Sequence, residues 1–225
     1  VYAAKDGGRN RAHVFERDDS TLRRQHGRMQ WISAIDKALD ENRLVLNCQR
    51  IAPVDPERPE APHYEILLSM MDEQGTVLPP GDFIVAAEAY NRMLAIDRWV
   101  IRNFFHWMSL NPDKVEGVGF FSINVSGVSL NDESFLDFVL RQFSRTRVQT
   151  SKVCFEITET SAIANIDNAI DFMNKMKIIG CRFSLDDFGT GMASYSYLRN
   201  LPVDYLKIDG VFVRDMVRNP GDLAV

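Results

Sequence analysis

Residues 152–191, KVCFEITETSAIANIDNAIDFMNKMKIIGCRFSLDDFGTG, contain the clearest evidence about the fold. The segment begins with an apolar run rich in Val, Ile and Phe at 152–158 and ends with a similar run at 181–187, and each run predicts a β-strand. Between them, apolar side chains recur at helical spacing until Gly180: Ile166, Ala169, Ile170 and Met173. Strand, helix and strand in this order predict a βα unit with parallel strands.

The same alternation continues on both sides of this unit. Further strands are predicted at LVLNCQRI (44–51), YEILLSM (64–70), GFFSINV (119–125) and YLKID (205–209). Helical patterns lie between most of them, and this predicts an α/β fold with a largely parallel sheet. A closed (β/α)₈ barrel has eight strands and about 250 residues. Six strands therefore leave two alternatives, an open sheet or a chain that stops before the barrel closes.

One face of the predicted strands is apolar and the other is polar, because side chains alternate along a strand. On the strand at 152–158, for example, Glu156 lies on the face opposite to Phe155 and Ile157. The polar face carries Glu65, Asn124, Glu156, Asp186, Lys207 and Asp209. In a parallel barrel this face lines the interior, and active sites lie at the carboxyl ends of the strands. The alternative, the solvated edge of an antiparallel sheet, is disfavoured by the helices between the strands.

The polar face predicts a metal site. Four carboxylates, those of Glu65, Glu156, Asp186 and Asp187, and the single cation Lys207 give a net charge of −3. Crowded carboxylates either take up protons or bind cations, and oxygen ligands suit Mg²⁺ or Mn²⁺. Two divalent ions beside a lysine can clamp a phosphodiester and activate a water molecule. The residues therefore indicate two-metal hydrolysis of a phosphodiester.

Composition and charge narrow the classes of protein. The 225 residues include 26 Lys and Arg against 31 Asp and Glu, a net charge of −5, which disfavours binding of polymeric nucleic acid. No apolar run approaches the roughly 18 residues of a membrane span, and the first residues do not resemble a signal peptide. Cys48, Cys154 and Cys181 lack zinc-site spacing and cannot pair completely. We therefore expect reduced thiols and a cytoplasmic domain. In the parent protein, segments upstream of this domain can provide a membrane anchor.

Five motifs occur in an order that resembles the EAL family of cyclic di-GMP phosphodiesterases, from about residue 28 to the end. They are Glu65-Ile66-Leu67, SINVS (122–126), FEITET (155–160), DDFGTG (186–191) and LPVDYLKIDG (201–210). The first is similar to the signature tripeptide of the family, with Ile in place of Ala. The resemblance implies a modified (β/α)₈ TIM-like barrel whose first strand, 44–51, is antiparallel to the others. It also implies hydrolysis of cyclic di-GMP to linear pGpG with two Mg²⁺ or Mn²⁺ ions per site.

The resemblance further implies roles for individual residues. The metal ligands would be Glu65, Asn124, Glu156, Asp186 and Asp187. Four residues would lie near the substrate: Gln49, Leu67, Asp187 and Asp209. Of these, Gln49 would contact a guanine, and Asp209 would also support Lys207. The catalytic residues would be Glu65, Lys207 and Glu159. Lys207 would hold the attacking water. Glu159 would steady the loop after DDFG and thereby couple the metal site to a homodimer.

Three of these residues also have a purely structural interpretation. Asn124 and Glu159 have the side chains and the positions of caps for the turn or helix that follows each of them. Gln49 is equally accounted for as an ordinary polar group at the barrel mouth. Glu156 and Asp186, which lie between apolar neighbours on inward faces, are difficult to interpret as scaffold.

Two departures from the family pattern bear on activity. Ser69 stands where the family has an Arg that contacts a substrate phosphate, so a contact of roughly 1.5–3 kcal/mol is lost. The chain also stops at Val225, before two further strands with a catalytic Glu and a Gln. These departures leave an alternative function, a catalytically inactive receptor for cyclic di-GMP. A two-metal barrel that acts on another phosphodiester is a third and less favoured hypothesis.

The N-terminal residues predict the organisation of a longer parent protein. The sequence YAAKDGGRNRAHVF at 2–15 resembles the C-terminal end of a GGDEF domain. We therefore expect the tail of a GGDEF domain at 1–16, a polar linker at 17–29, and an EAL phosphodiesterase domain, truncated at its C-terminus, at 30–225. The parent protein is expected to form a homodimer and to carry the rest of the GGDEF domain upstream, an organisation that also accommodates a sensor domain.

Overall fold

The computed structural model describes residues 31–55, 61–190 and 199–217. Its strands are β1 (Leu44–Ile51), β2 (His63–Met71), β3 (Val77–Leu78), β4 (Phe121–Asn124), β5 (Val153–Thr158), β6 (Arg182–Phe188) and β7 (Tyr205–Ile208). Its helices are α1 (31–40), α2 (Pro80–Ala89), α3 (Met93–Leu110), α4 (Pro112–Glu116), α5 (Gly127–Leu130), α6 (Glu133–Thr146), α7 (Glu159–Ala164), α8 (Ile166–Ile178) and α9 (Gly210–Asp215). The tail and linker expected at 1–16 and 17–29 lie outside the described residues.

The first of two compact units combines the described residues up to Leu44 with residues 70–92. The backbone N–H of Met71 donates to the carbonyl of Arg43 at 2.7 Å, so the end of β2 lies beside the start of β1 and these strands run antiparallel. The short strand β3 then pairs antiparallel with the last residues of β2. The buried apolar side chains of this unit are Ile35, Ala38, Leu44, Met70, Phe83, Ala86 and Ala87.

The second unit, formed by the described parts of 45–69 and 93–225, is built on a parallel sheet. Neighbouring strands follow the order β1-β2-β4-β5-β6-β7, and each pair from β2–β4 to β6–β7 is parallel. Within the described residues the sheet runs from β1 to β7 without a pairing between these two strands. This order aligns the carboxyl ends of five parallel strands at one edge, where polar side chains from distant parts of the sequence can meet.

Aromatic side chains pack the helices of the second unit against the apolar face of its sheet. Phe172 of α8 contacts Phe155 of β5 and Phe183 of β6, with ring centroids 5.9 and 6.0 Å apart. Phe104 of α3 contacts Phe121 of β4 at 5.2 Å. Burying such rings contributes about 1.5–3 kcal/mol each. Phe155 and Phe183 are therefore fixed between the sheet and its helices. Because side chains alternate along a strand, Glu156 and Ser184 must lie on the opposite face of the sheet.

The predicted α/β class and the antiparallel first strand are confirmed. The observed strand boundaries differ from the predicted ones by no more than two residues. The sequence reasoning missed β3, because a strand of two residues has no period to detect. Within the described residues, no helix combines the length and the apolar character that a membrane span requires.

The three thiols are expected to differ sharply in reactivity. Cys48 is exposed, whereas burial raises the pKa of Cys154 and of Cys181 to about 12. Because the thiolate is the reactive form, both buried thiols should remain inert at neutral pH. A DTNB titration should find one rapidly reacting thiol in the native protein and all three in denaturant. The variant Cys48→Ser should show no rapid phase, and a rapid phase in that variant would contradict the burial of the other two.

Candidate active site

Five polar side chains of the second unit come together on one face of its parallel sheet, four of them in the second half of their strands. They are Glu65 of β2, Asn124 of β4, Glu156 of β5, Asp186 of β6 and Lys207 of β7. The strand register places Asn124 of β4 opposite Glu156 of β5. It places Asp186 of β6 opposite Thr158, two residues after Glu156. Because the strands are parallel and their side chains alternate, all five project from the same face, as the alternation predicts.

Lys207 lies at the centre of this cluster. Its Nζ donates to Glu156 Oε2 at 2.6 Å, Asp186 Oδ2 at 2.9 Å and Glu65 Oε2 at 3.2 Å. Glu156 is almost fully buried, with 1 % of its side chain exposed, whereas the other three are partly open to solvent. One cation therefore holds three carboxylates together, and the Glu156 carboxylate has little access to water.

The environment shifts the pKa values of this cluster in ways that its geometry explains. Burial raises the pKa of Glu156, and its hydrogen bond with Lys207 opposes the effect only in part. Burial by itself lowers the pKa of Lys207, but the hydrogen bonds and charges of Glu156 and Asp186 outweigh it, so the pKa rises above its ordinary value. Lys207 is therefore a charged ammonium at neutral pH.

The donor set fits a hard divalent cation. Glu65, Glu156 and Asp186 each offer a carboxylate oxygen, and these atoms lie within 4.8 Å of one another. Asn124 Nδ2 donates to Glu65 Oε1 at 3.0 Å, which brings an amide to the same place. Together with Lys207 the three carboxylates have a net charge of −2, which one divalent ion would neutralise. Carboxylate and amide oxygens are ligands that Mg²⁺ and Mn²⁺ accept.

The irregular end of β6 places Asp187 beside Asp209 and outside the group of three carboxylates. A register shift interrupts β6 between Leu185 and Phe188, and Asp187 has a left-handed backbone with φ of 54°. Partial burial and the charges of Asp186 and Asp209 raise the pKa of Asp187. Asp209 also caps α9, since its Oδ1 accepts from the N–H of Val211 at 2.6 Å. The role of Asp187 at a second metal remains a prediction.

Glu159 is buried and reaches from α7 to the loop that begins after β6. Its Oε2 accepts from the backbone N–H of Gly189 at 2.9 Å, and 2 % of the residue is exposed. Thr158, not Glu159, is the N-cap of α7, because its side chain accepts from Ser161. The capping role considered for Glu159 is therefore wrong, and the side chain instead ties α7 to the loop that follows the DDF residues.

Two of the residues expected near the substrate, Gln49 and Leu67, lie on the neighbouring strands β1 and β2. Gln49 is exposed on β1, and Leu67 is half-buried on β2. Ser69 accepts a hydrogen bond from Asn47 Nδ2 at 3.0 Å. Because Asn47 and Gln49 are two positions apart, as are Leu67 and Ser69, all four share the face that carries Glu65. The capping role considered for Asn124 is wrong too, because Ser126 caps α5.

Sequence reasoning missed one buried carboxylate, that of Asp97 on α3. Three donors converge on its Oδ2: the backbone N–H of Ser126 at 3.0 Å and the hydroxyls of Ser126 and Ser129, each at 2.6 Å. Burial raises the pKa of Asp97, and these hydrogen bonds oppose the effect. The signal was present, since Asp97 lies three and four residues before Val100 and Ile101 on the apolar face of the helix.

Comparison with known proteins places this geometry in context. The sequence profile of the EAL domain matches residues 32–225. The chain is 40% identical over 223 residues to cyclic di-GMP phosphodiesterase PdeB of Shewanella oneidensis. The aligned residues make up 99% of the chain and 26% of that protein. It is 32% identical over 194 residues to cyclic di-GMP phosphodiesterase PdeF of Escherichia coli K12, and the aligned residues make up 86% of the chain and 25% of that protein. The chain thus spans about a quarter of the length of these relatives.

Solved structures have the same fold. The phosphodiesterase PaMucR in complex with c-di-GMP superposes with a TM-score of 0.77 at 28% identity, over 87% of this chain and 78% of that one. The FimX EAL domain of Pseudomonas aeruginosa, bound to c-di-GMP, also gives 0.77 at 25% identity, over 86% and 76%. These similarities confirm the predicted TIM-like barrel class.

Proposed function

The chain belongs to the EAL domain family, and from that membership we propose that it forms the catalytic domain of a phosphodiesterase that hydrolyses cyclic di-GMP to linear pGpG. Two relatives that are at least 32% identical to it over the aligned residues are named cyclic di-GMP phosphodiesterases. The observation that carries the proposal is the convergence of Glu65, Glu156 and Asp186 on Lys207, with Asn124 beside them. This arrangement has the charge and the ligand types that phosphodiester hydrolysis requires.

In this proposal the carboxylates and Asn124 hold Mg²⁺ or Mn²⁺. Glu65, Asn124, Glu156 and Asp186 would form the first site, and Asp187, with Asp186, would contribute to a second. Bound divalent ions would polarise the phosphodiester and lower the pKa of a bound water molecule. A set of anionic ligands thereby becomes able to accept an anionic substrate, because the ions supply the positive charge.

Lys207 acts as a cation and a hydrogen-bond donor. It donates to three carboxylates, so its ammonium group has no capacity to accept a proton. We assign it the orientation of the attacking water and the stabilisation of the negative charge that develops on the phosphate. Asp209, which directly follows β7, would restrict the conformations of the Lys207 side chain.

The substrate contacts come from the same face of the sheet. In the proposal Gln49 contacts a guanine base, and Leu67, Asp187 and Asp209 border the bound nucleotide. Their support is positional, since Gln49 and Leu67 lie on neighbouring strands and share the face of Glu65. Glu159 would hold the loop at Gly189 in the geometry that keeps Asp186 and Asp187 in place.

The organisation of the whole protein is part of the same proposal. We infer a cytoplasmic homodimer with a GGDEF domain upstream, in which the loop held by Glu159 transmits dimer geometry to the metal ligands. Sedimentation of the full-length protein would measure its oligomeric state. A protein that remains monomeric and fully active would contradict the dimer part of the proposal and leave the site assignment intact.

The proposed activity is tested by incubating the full-length protein with cyclic di-GMP and separating the nucleotides by chromatography. We expect pGpG to form with Mg²⁺ or Mn²⁺ and not in EDTA. Intact cyclic di-GMP that is bound but not cleaved would contradict the enzyme and support the receptor. Cleavage of other phosphodiesters at comparable rates would contradict the assigned substrate.

Introducing an arginine by Ser69→Arg is expected to lower the KM for cyclic di-GMP by at least about tenfold, because a charge-assisted contact to phosphate contributes roughly 1.5–3 kcal/mol. Ser69 lies on the face of the metal ligands, and its hydroxyl is held by Asn47 through a single exposed hydrogen bond that the larger side chain can displace. The matched control Val54→Arg adds the same charge at a fully exposed position beyond the end of β1. An unchanged KM for Ser69→Arg, or an equal decrease in the control, would contradict the placement of position 69 near the phosphate.

A further inference from the structure

The buried Asp97 connects helix α3 to the segment that follows β4. With 4% of its surface exposed, Asp97 lies among apolar residues of α3, and one oxygen, Oδ2, accepts all three hydrogen bonds from Ser126 and Ser129. An ionisable group is costly to bury in an apolar helix face unless its hydrogen bonds compensate. The cluster therefore fixes the position of Ser126 relative to α3.

Ser126 lies two residues after Asn124 in a segment that is held from both sides. The N–H of Val125 donates to the carbonyl of Glu156 at 2.9 Å, which joins the segment to β5. Ser126 binds Asp97 through its N–H and its hydroxyl, and its hydroxyl also accepts from the N–H of Ser129 as the cap of α5. Asn124 is the last residue of β4, so this segment sets the direction in which its side chain leaves the strand.

We propose that Asp97 is a positioning residue for Asn124 and acts on the metal site through Ser126. The inference rests on the proposed function, in which Asn124 is a metal ligand. Asn124 is exposed, and its side-chain amide is held by Glu65 Oε1, itself a group that would turn towards a bound metal. The orientation of Asn124 therefore depends on its backbone, and that backbone is anchored by a carboxylate that does not itself reach the site.

A double-mutant cycle separates positioning from a general effect on stability. The dissociation constant for Mn²⁺ is measured by calorimetry on the full-length protein and on Asp97→Ala, Asn124→Ala and the double variant. Loss of a residue that orients a metal ligand typically weakens metal binding by about 10–100-fold. If Asp97 acts through Asn124, the double variant should bind Mn²⁺ as Asn124→Ala does, because Asp97 then has nothing left to position.

Three further variants keep the test decisive. Asp97→Asn retains an oxygen acceptor and should bind Mn²⁺ nearly as the wild type does. Met108→Ala removes a buried side chain from the same helix and should destabilise the fold without weakening Mn²⁺ binding. If Asp97→Ala does not fold, Ser126→Ala replaces it in the cycle, because it removes one donor to Asp97 and leaves two.

The outcomes of this experiment are distinguishable. Multiplicative losses in the double variant, or equal weakening by Met108→Ala, would overturn the positioning role. A wild-type protein that binds Mn²⁺ but forms no pGpG would refute the proposed hydrolysis, and the cycle would still decide the role of Asp97. A wild-type protein that binds no Mn²⁺ would refute both.

Discussion

Asp186→Asn is expected to lower kcat/KM for cyclic di-GMP by about 1,000-fold. One oxygen of Asp186 accepts from Lys207 at 2.9 Å, and the other accepts from the N–H of Asp187 at 2.9 Å. Asparagine has the same shape but no charge, so the loop geometry is retained while the metal loses an anionic ligand. A loss of about 4 kcal/mol in charge stabilisation corresponds to that decrease in rate. The measurement is the initial rate of pGpG formation at saturating Mn²⁺.

The matched control for Asp186→Asn is Asp171→Asn. Asp171 also accepts from a lysine, Lys175 at 2.6 Å, but it lies on the exposed surface of α8. An exposed pair of this kind contributes about 0.3–0.5 kcal/mol, so activity should not change. A rate for Asp186→Asn within about tenfold of the wild type would show that this carboxylate is not a ligand in the reactive complex.

Lys207→Met is expected to separate catalysis from metal binding. Turnover should fall by about 10²–10³-fold, the usual cost of removing one donor that stabilises developing negative charge. Mn²⁺ binding should remain or become tighter, because the variant removes a cation that contacts all three carboxylates. The two measurements are the rate of pGpG formation and the dissociation constant for Mn²⁺.

The stability of Lys207→Met should also depend on pH in a defined direction. Burial already raises the pKa of Glu156, and loss of Lys207 removes the contact that opposes this shift. A carboxyl group whose folded pKa lies above its unfolded value favours the folded state at low pH and opposes it when ionised. The metal-free variant should therefore lose stability, relative to the wild type, as the pH rises through the folded pKa, and Mn²⁺ should restore it.

Lys177→Met is the control for Lys207→Met. Lys177 donates to Asp204 at 2.6 Å, so the control also breaks a lysine–carboxylate pair, but no carboxylate of the metal cluster takes part. Its turnover and Mn²⁺ affinity should equal those of the wild type. If Lys207→Met weakened Mn²⁺ binding or left turnover unchanged, the assigned role of Lys207 would be wrong.

Local patterns in the sequence were sufficient to predict most of the sheet. Strand periodicity placed Glu156 between Phe155 and Ile157 and hence on the inward face, and the core packing of Phe155 confirms this. Helices between strands implied a parallel sheet, and a parallel sheet places its carboxyl ends at one edge. The general position of the site follows from these local facts.

Other features depend on long-range contacts that have no local pattern. Lys207 contacts Glu65 across 142 positions of sequence, so its central place among the carboxylates follows only from the strand order. The irregularity in β6 that gives Asp187 a left-handed backbone is set by pairing with β7. The helical spacing places Asp97 on the buried face of α3, but its partners Ser126 and Ser129 belong to a different part of the chain. Strand periodicity cannot predict these three features.

The central claim is that Glu65, Glu156 and Asp186 hold a divalent cation in the reactive complex. Anomalous diffraction at the manganese edge, from crystals of the protein grown with Mn²⁺ and cyclic di-GMP, measures this directly. We expect an anomalous peak within coordination distance of all three carboxylates. Density for cyclic di-GMP or pGpG in the barrel mouth, without such a peak at saturating Mn²⁺, would contradict the claim.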